Sequence, residues 1–297
     1  MDRLRALEVF IEIAETGSLS GAARKLSLSA PTVTRVLGDF EADLGVLLFH
    51  RTTRAVTLTD PGRTFLLDAK RIVSGFEEAR DAVRGAHRAP KGLLRLTAPV
   101  LFGQHYILPV IMKFLDTYES VKAEAVFLDR VVNLVEEDFD LAVRIGGLAE
   151  SSMMATRLGA VRQVICGHPN YFEKYGVPKT PSDLIDHRIA AVRQLSPVRE
   201  WHFSDGISAK INPRLWTSSV QAGIETAKSG WGLTRVLSYQ IGPDLSAGQL
   251  QTVLTEYEPE PLPIHIVHAE GRTPSAKVRA FTDMARDLIR NNPFLNR

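Results

Sequence analysis

Apolar positions spaced three and four residues apart run through residues 18–37 and predict two short helices joined by a tight turn. Gly17 ends the preceding segment, and the serines that follow it can cap a new helix. Ser29 is placed to cap the second helix, and Pro31 lies in its first turn, where a missing N–H is harmless. The apolar positions of the pair are Ala22, Ala23, Leu26, Val33, Val36 and Leu37.

The second predicted helix leaves small and polar side chains pointing outward from its first turns, which makes its N-terminal end available to a duplex. These side chains are Ala30, Thr32, Thr34 and Arg35. The alanines of the first helix let the two helices cross closely, as in a helix-turn-helix whose second helix enters the major groove. Taken alone, the segment also fits an ordinary helical hairpin buried in an all-helical core.

Two short runs with β character, residues 47–50 and 55–59, follow the helix end predicted at Gly45. They enclose a basic turn at residues 51–54, and the pair predicts a wing whose arginines hold phosphates or enter the minor groove. The predicted DNA contacts are Ser29, Ala30, Pro31, Thr32, Thr34, Arg35, Arg51, Thr52 and Arg54.

Residues 61–89 predict one long helix, which Thr59 can cap. Its apolar side chains recur at alternating steps of four and three residues, the pattern of a coiled-coil seam. The seam consists of Phe65, Ala69, Ile72, Phe76, Ala79, Val83 and Ala86. We expect this seam to pair with a second copy of the chain, and the alternative is a single helix lying on its own domain. A dimer suits a palindromic operator, because two recognition helices must reach successive major grooves.

From Gly92 onward, strand-like and helical segments alternate in the order βαβαβ up to residue 147, which predicts an open, mostly parallel sheet covered by helices. Within this section a short helix is expected at residues 131–137. A second α/β unit begins with the apolar run at residues 161–168, and Asp205-Gly206 predicts a tight hairpin turn. The last predicted helix covers residues 275–290.

Composition is that of an ordinary soluble protein of two or more domains, with 297 residues, 44% of them hydrophobic and 24% charged. A single cysteine, no secretion signal and no membrane span lead us to expect a cytoplasmic location. The net charge of +2 is small, and residues 1–60 hold seven basic against eight acidic side chains. The prediction of DNA binding therefore depends on where the basic side chains lie, and bulk charge does not support it.

At this point the chain resembles the LysR-type transcriptional regulators. The resemblance is carried by LRALEVFIEIAETGSLSGAARKLSLSAPTVTRVL near the start, the LG-x-x-LF-x-R run, the LT-x-x-G that begins the long helix, and, further on, TAPVLFG and DRVVNLVEEDFDLAVRIG. It implies an α+β multidomain fold with a winged helix-turn-helix at residues 1–60, a linker (dimerisation) helix at 61–89 and an effector-binding domain at 90–297. That last domain is expected to be a two-lobed α/β unit of periplasmic-binding-protein type.

The same resemblance implies how the lobes divide. Lobe I is expected to comprise about 92–161 plus 268–297, and lobe II about 162–267. Strands at 161–166 and 264–268 would cross between the lobes, with the effector bound between them.

Ligands of open α/β lobes lie at the carboxyl ends of strands and against helix N-termini. Residues in such places, or with a ring that can stack on a ligand, are Pro99, Val100, Phe102, Asp129, Arg144, Trp201 and Ser219. We expect them to bind a small effector, aromatic or carboxylate-bearing. Each also has a structural alternative: Arg144 as an ion-pair partner, Trp201 as a core residue and Ser219 as a simple helix cap.

No sequence motif for catalysis is present. The chain contains no P-loop, no G-x-G-x-x-G after a strand and no G-x-S-x-G elbow, so we do not expect an enzyme. The histidines and Cys166 show no metal-ligand spacing, and we expect no metal and no cofactor. Cys166 lies in an apolar strand, where a buried inert thiol is expected more than a redox sensor.

The sequence thus predicts a sequence-specific transcriptional regulator controlled by an effector. Its expected partners are double-stranded promoter DNA, a small-molecule effector, further copies of itself as a dimer or a dimer of dimers, and RNA polymerase, with no membrane. Two alternatives remain open at this stage: a small-molecule-binding protein without regulatory output, and an architectural DNA-binding protein.

Overall fold

The structure is a computed structural model of the 297-residue chain, and it forms two compact units, Met1–Arg88 and Ala89–Arg297. It describes residues 2–51, 56–83, 89–148, 154–192, 199–268, 274–290, 292, 294 and 295. Side chains at positions 71, 74, 77–79 and 81–83 lie outside this description.

The N-terminal unit consists of four helices and a two-stranded antiparallel sheet. Its elements are α1 (Arg3–Thr16), α2 (Leu19–Lys25), α3 (Ala30–Leu44), β1 (Phe49–Arg51), β2 (Val56–Leu58) and α4 (Asp60–Val83). Local sequence sets most of the helix ends. Ser18 accepts a hydrogen bond from the Gly21 N–H at the start of α2, while Gly17 and Gly45 end α1 and α3 in the left-handed conformation. The predicted helix pair and wing are therefore both present.

One apolar core holds this unit together. Phe10, Ile13 and Leu37 are fully buried there, and the alanines of α2 allow α1, α2 and α3 to pack closely around them. The Thr59 hydroxyl caps α4 by accepting from the Gly62 N–H, and it donates to the Leu47 carbonyl oxygen.

Two residues that we assigned to the dimer seam lie instead in the core of their own domain. Ala69 is fully buried, and the Phe65 ring lies 5.5 Å from that of Phe10 and 5.9 Å from that of Phe40. The assignment of Phe65 and Ala69 is thus corrected, because the heptad spacing does not distinguish a face turned to the helix's own domain from one turned to a partner.

Further along α4 the seam is exposed. The side chains of Ile72 and Phe76 are 51% and 48% exposed in the single chain. The side chains of Ala79 and Val83, and all of Ala86, lie outside the described residues. The unit leaves two large apolar groups on the part of α4 beyond its own core.

The C-terminal unit contains the remaining elements. They are β3 (Gly92–Ala98), α5 (Val100–Phe102), α6 (Leu108–Thr117), β4 (Val121–Phe127), β5 (Leu141–Ile145), β6 (Met154–Val161), β7 (Gln163–Gly167), α7 (Pro169–Tyr175), β8 (Ala190–Val192), β9 (Glu200–His202), β10 (Ser208–Lys210), β11 (Leu215–Thr217), α8 (Val220–Lys228), β12 (Thr234–Leu237), α9 (Gly242–Ser246), β13 (Gln251–Val253), β14 (Leu262–His268) and α10 (Ala276–Ile289). A π-helical turn, Gly103–Ile107, joins α5 to α6.

The larger sheet has the order β4-β3-β5-β14-β6 and is mixed. Strand β3 runs parallel to β4 and β5, whereas β14 runs antiparallel to β5 and β6. The terminal helix α10 returns to pack on β3, β6 and α6. Residues 131–137 form turns, so the short helix expected there is absent from this described segment.

The position of β14 corrects the division between the lobes. We expected lobe II to extend to about 267 with this strand crossing between lobes, but β14 lies inside the larger sheet between β5 and β6. The apolar pattern of Leu262–His268 predicts a buried strand and contains no information about which sheet it joins.

The second group of strands forms smaller sheets. The antiparallel sheet β12-β7-β13 lies beside the parallel pair β11-β8, and a single bridge between Ile189 and Leu233 connects them. Strands β9 and β10 form the predicted hairpin, in which Asp205 and Gly206 both have positive φ. Among the helices that the structure describes, none has the length and apolar character needed to cross a membrane.

Candidate DNA-binding and effector sites

The N-terminal end of α3 is built by local hydrogen bonds. The Ser29 hydroxyl oxygen accepts from the Thr32 N–H at 3.2 Å and shares a 2.7 Å hydrogen bond with the Thr32 hydroxyl. Ser29, Ala30 and Pro31 are exposed, and Thr32 is half-buried. Ser29 therefore performs the predicted capping role, and the helix end presents a small, uncharged surface.

The tight turn before this helix fixes its crossing over α2. Ser27 adopts a positive φ of 54°, a conformation more often taken by glycine, and the Leu28 N–H donates to the Ala23 carbonyl oxygen at 2.9 Å. Val33 and Leu37 are buried against the core. With that face buried, the opposite face of α3 points to solvent, as expected of a recognition helix.

Thr34 and Arg35 lie on this exposed face. The Thr34 hydroxyl donates to the Ala30 carbonyl oxygen at 3.0 Å, which leaves its oxygen able to accept. The Arg35 side chain is 70% exposed, and its Nη1 lies 3.4 Å from Asp39 Oδ2 one turn along the helix. An exposed ion pair of this kind is weak, so Arg35 can exchange Asp39 for a base edge or a phosphate.

The wing strand β1 is attached to α3 by a carboxylate that we did not select from the sequence. Glu41 is buried, and its Oε1 accepts from the backbone N–H groups of Leu48 at 2.8 Å and Phe49 at 3.2 Å. Its Oε2 is ion-paired with Arg51 Nη2. Arg51 is therefore partly committed to the structure of the wing, and Thr52 and Arg54 lie outside the described residues.

Lys25, at the end of α2, is held against α1. Its Nζ lies 2.7 Å from Glu12 Oε1 and 3.5 Å from Glu15 Oε2, and the hydrogen bond with Glu12 raises the pKa of Lys25. Arg24 is exposed beside it. Glu12 and Glu15 are among the acids that offset the basic side chains of residues 1–60. They bind Lys25 to α1 and so stabilise the packing of the helices.

In the C-terminal unit, three of the predicted effector residues do come together. Val100 donates its N–H to Asp129 Oδ1 at 3.0 Å, and half-buried Pro99 precedes it at the start of α5. These residues follow β3 and β4, whose carboxyl ends lie side by side because the two strands are parallel. Asp129 is thus engaged as a helix cap.

Phe102 is a core residue, and its assignment as a ligand contact is corrected. Its fully buried ring is stacked on Tyr106 at 5.1 Å and meets Tyr239 edge-on at 5.3 Å. Tyr239, from the 3-10 helix Ser238–Gln240, is itself buried, and burial raises its pKa. Sequence reasoning missed Tyr239 because its ring partners, Phe102 and Tyr106, are distant along the chain.

Arg144 lies in a row of basic side chains on the larger sheet. Its Nη2 donates to the Val132 carbonyl oxygen at 2.8 Å, and the strand register places it beside His265, which in turn faces Arg157. Burial and the charge of Arg157 lower the pKa of His265. Among the residues described, Arg144 forms no ion pair, and its guanidinium is bound to a backbone carbonyl oxygen.

Trp201 and Ser219 belong to the second group of strands. Trp201 is only 5% exposed and packs in the core there, so its assignment as a stacking surface for a ligand is corrected. Arg235, which we did not select from the sequence, lies over its ring with Cζ 5.7 Å from the centroid. Ser219 is exposed and caps α8 by accepting from the Ala222 N–H at 3.3 Å.

The single cysteine is unsuited to redox chemistry. Cys166 is fully buried in β7, and burial raises the pKa of its thiol to about 12. In the part of the chain that the structure describes, no group of three or more histidine, cysteine, aspartate or glutamate side chains is placed to hold a metal ion.

Comparison with known proteins identifies both units. Residues 4–63 match the family model of bacterial regulatory helix-turn-helix proteins of the lysR family, and residues 87–290 match the LysR substrate binding domain. A regulator from Xanthomonas campestris pv. campestris, described as an HTH-type transcriptional regulator, is 32% identical over 93% of this chain and 82% of its own length. The regulator CrgA of Neisseria meningitidis serogroup C is 28% identical over 96% of this chain and 97% of its own.

Solved structures give the same result at the level of the fold. The structure of CrgA, a LysR-type transcriptional regulator from Neisseria meningitidis, is 27% identical in sequence and superposes with a TM-score of 0.63, covering 97% of this chain and 99% of that one. Corynebacterium glutamicum OxyR is 20% identical, with a TM-score of 0.63 over 96% of this chain and 91% of that one, and shares the fold. The chain belongs to the LysR family of bacterial transcriptional regulators.

Proposed function

We propose that this regulator recognises its promoter through the exposed N-terminal half of α3 and through the wing, and that an effector bound by the C-terminal unit alters this recognition. The observation that carries the proposal is the geometry of α3. One face is buried against α1 and α2, while Ser29, Thr34 and Arg35 are exposed along the other.

Individual side chains are proposed to have distinct roles in DNA recognition. Thr32, Thr34 and Arg35 would contact base edges, since the hydroxyl oxygens can accept from bases in the major groove and the guanidinium can donate to them. Ser29 and the wing arginines Arg51 and Arg54 would contact phosphates. Supporting this division, Arg35 is bound only by an exposed ion pair, whereas Arg51 is oriented by buried Glu41.

The active form is proposed to be a dimer or a dimer of dimers joined through α4. Ile72 and Phe76 support this, because they leave a large apolar surface exposed beyond the core of their own unit. In this proposal residues 1–60 bind DNA, 61–89 link and dimerise, and 90–297 bind the effector. We place the protein in the cytoplasm, where it can reach promoter DNA and RNA polymerase.

The effector is proposed to be a small aromatic or carboxylate-bearing molecule bound in the C-terminal unit. Pro99, Val100 and Asp129 mark one end of this site, because they lie together where β3 and β4 end. Arg144 is proposed to supply positive charge, which is supported by its place in a basic row. Ser219 marks the exposed N-terminus of α8 as a further contact.

Fluorescence anisotropy of purified protein tests the central claim. Labelled DNA from upstream of its own gene is compared with random DNA of equal length at two salt concentrations. We expect tight binding to the upstream DNA and weaker, more salt-dependent binding to random DNA. Equal binding to both DNAs that disappears with salt contradicts sequence-specific recognition at that promoter.

A further inference from the structure

Arg235, on β12, lies over two aromatic rings that come from or directly follow β9. Its Cζ lies 5.7 Å from the centroid of the Trp201 ring and 5.3 Å from that of Phe203. Nη2 donates to Gln163 Oε1 at 3.1 Å and to the His202 carbonyl oxygen at 2.6 Å. These contacts come from two separate segments of the chain, residues 201–203 and Gln163, so the guanidinium is fixed in position.

Among the residues that the structure describes, no acid balances the charge on this guanidinium. Both acceptors of Nη2 are neutral, and among the described residues no carboxylate forms an ion pair with Arg235. Its Nε is shielded from solvent and has no hydrogen-bond partner. Burial alone lowers the pKa of Arg235, so its surroundings disfavour the charge that it carries.

Two other partly or fully buried cations of the C-terminal unit have carboxylate partners. Arg162 Nη1 lies 2.8 Å from Glu258 Oε2, and Lys277 Nζ lies 2.9 Å from Asp140 Oδ1. Ionic partners are the general rule for buried charges, because a charge that is removed from water without a partner is strongly destabilised. Among the described residues, Arg235 lacks the ionic partner that Arg162 and Lys277 have.

We propose that Arg235 anchors an oxyanion site in the second group of strands, for a small ligand carrying a carboxylate or phosphate group. The proposal rests on the ligand-binding role proposed above for the C-terminal unit. Nη2 is occupied, so the anion would accept from Nη1, which has no partner among the described residues. Gln163 would supply a second donor, because its oxygen accepts from Arg235 and its amide NH2 group makes no hydrogen bond to the described residues.

The surroundings of Arg235 and Gln163 would let a ligand reach their N–H donors, and the buried rings nearby would strengthen the hydrogen bonds that it accepts. Arg235 and Gln163 are both half-buried, so part of each is open to solvent. The buried rings of Trp201 and Phe203 exclude water from one side of the guanidinium. A charge-assisted hydrogen bond is stronger in such a low-dielectric setting than on an open surface.

Thermal unfolding of the full chain tests the proposal. Trp201, Trp216 and Trp231 are the three tryptophans of the chain and all lie in the C-terminal unit, so their fluorescence reports on its melting. The protein is titrated with sodium benzoate in one series and inorganic phosphate in another, with ionic strength held constant by sodium chloride. We expect a saturable rise in Tm in at least one series, and the series that gives it identifies the carboxylate or the phosphate as the preferred group.

Two variants of Arg235 separate binding from folding. Arg235→Met should lose the saturable rise, and Arg235→Lys, which keeps the charge without the planar donor group, should weaken the apparent Kd by about tenfold or more. Arg188→Met is the matched control. Its guanidinium also lies over a ring, 5.1 Å from the centroid of Tyr175, and among the described residues it has no second ring.

Two results would overturn the proposal. One is a response of Arg235→Met equal to that of the unaltered protein, and the other is the absence of a saturable response to either anion in the unaltered protein. Promoter binding measured on the same preparations keeps this test separate from the proposed regulatory function. Intact DNA binding without any anion response refutes the oxyanion site alone.

Discussion

Replacing Glu41 should release the wing from the recognition helix. The carboxylate lies on α3 and accepts two hydrogen bonds from the backbone of residues 48 and 49, at 2.8 and 3.2 Å, while it also pairs with Arg51. It is 5% exposed, so water does not take its place when it is removed. Glu41→Ala therefore leaves two buried N–H groups and one guanidinium without their acceptor.

The expected cost follows from these contacts. Hydrogen bonds to a charged group contribute about 1.5 to 3 kcal/mol each, and breaking a buried ion pair from one side costs about 3 to 5 kcal/mol. Both figures describe the same carboxylate and are not added. We therefore expect Glu41→Ala to lower the free energy of opening the wing by about 3 to 5 kcal/mol in total. Glu41→Gln keeps an oxygen for the backbone N–H groups and should lose less than half of that.

Hydrogen exchange is the appropriate assay, because the tryptophans of the chain all lie in the other unit. The protection of peptides that contain Leu48 and Phe49 is compared between the variants and the unaltered protein. Asp39→Ala is the control on the same helix, since it removes an exposed partner of Arg35 and should change stability by less than about 0.5 kcal/mol.

One result would refute the reasoning. If the amides of Leu48 and Phe49 in Glu41→Ala keep the protection that they show in Asp39→Ala, the buried carboxylate does not hold the wing. A loss of amide protection in Glu41→Ala, with a smaller loss in Glu41→Gln and none in Asp39→Ala, supports the role of the buried carboxylate in holding the wing.

Three further predictions concern other surfaces. Arg35→Ala should weaken operator binding by about 1 to 3 kcal/mol and reduce discrimination in fluorescence anisotropy, and an equal loss on random DNA would reassign Arg35 to a phosphate. Phe76→Asp should shift sedimentation toward the monomer. Leu67→Asp should not, because Leu67 is exposed on the opposite side of α4. An unchanged sedimentation of Phe76→Asp contradicts pairing through this seam. Burial raises the pKa of the Cys166 thiol to about 12, so at pH 8 it should react with iodoacetamide about a thousandfold more slowly in native than in unfolded protein. Mass spectrometry follows the reaction. Similar rates in the two states would show that the thiol is accessible.

Local features of the DNA-binding unit could be predicted because they depend on neighbours in sequence. Ser29 accepts from the N–H three residues later, and Gly45 ends α3 in a conformation that a side chain would hinder. Glu41 could not be selected in the same way. In the sequence it is one of several acids on a helix, and only the return of the chain at β1 buries it.

The effector residues show the same limit more strongly. Strand ends are readable from the sequence, and Pro99, Val100 and Asp129 do lie together where two strands end. Periodicity does not tell whether an aromatic ring faces a ligand or the core, and Phe102 and Trp201 proved to be core residues.

Most of the element order, the helix caps at Ser18, Ser29 and Thr59, the hairpin at Asp205-Gly206 and the LysR-type pattern of the first 65 residues could be predicted from the chain alone. These depend on backbone preferences and on contacts within a few residues. Only the folded chain shows that β14 joins the larger sheet, that Phe65 and Ala69 face their own core, and that Arg235 lies over two rings with no ion-paired acid among the described residues. The physical reason is that burial and charge balance are set by residues far apart along the chain, and these meet only when the strands have paired.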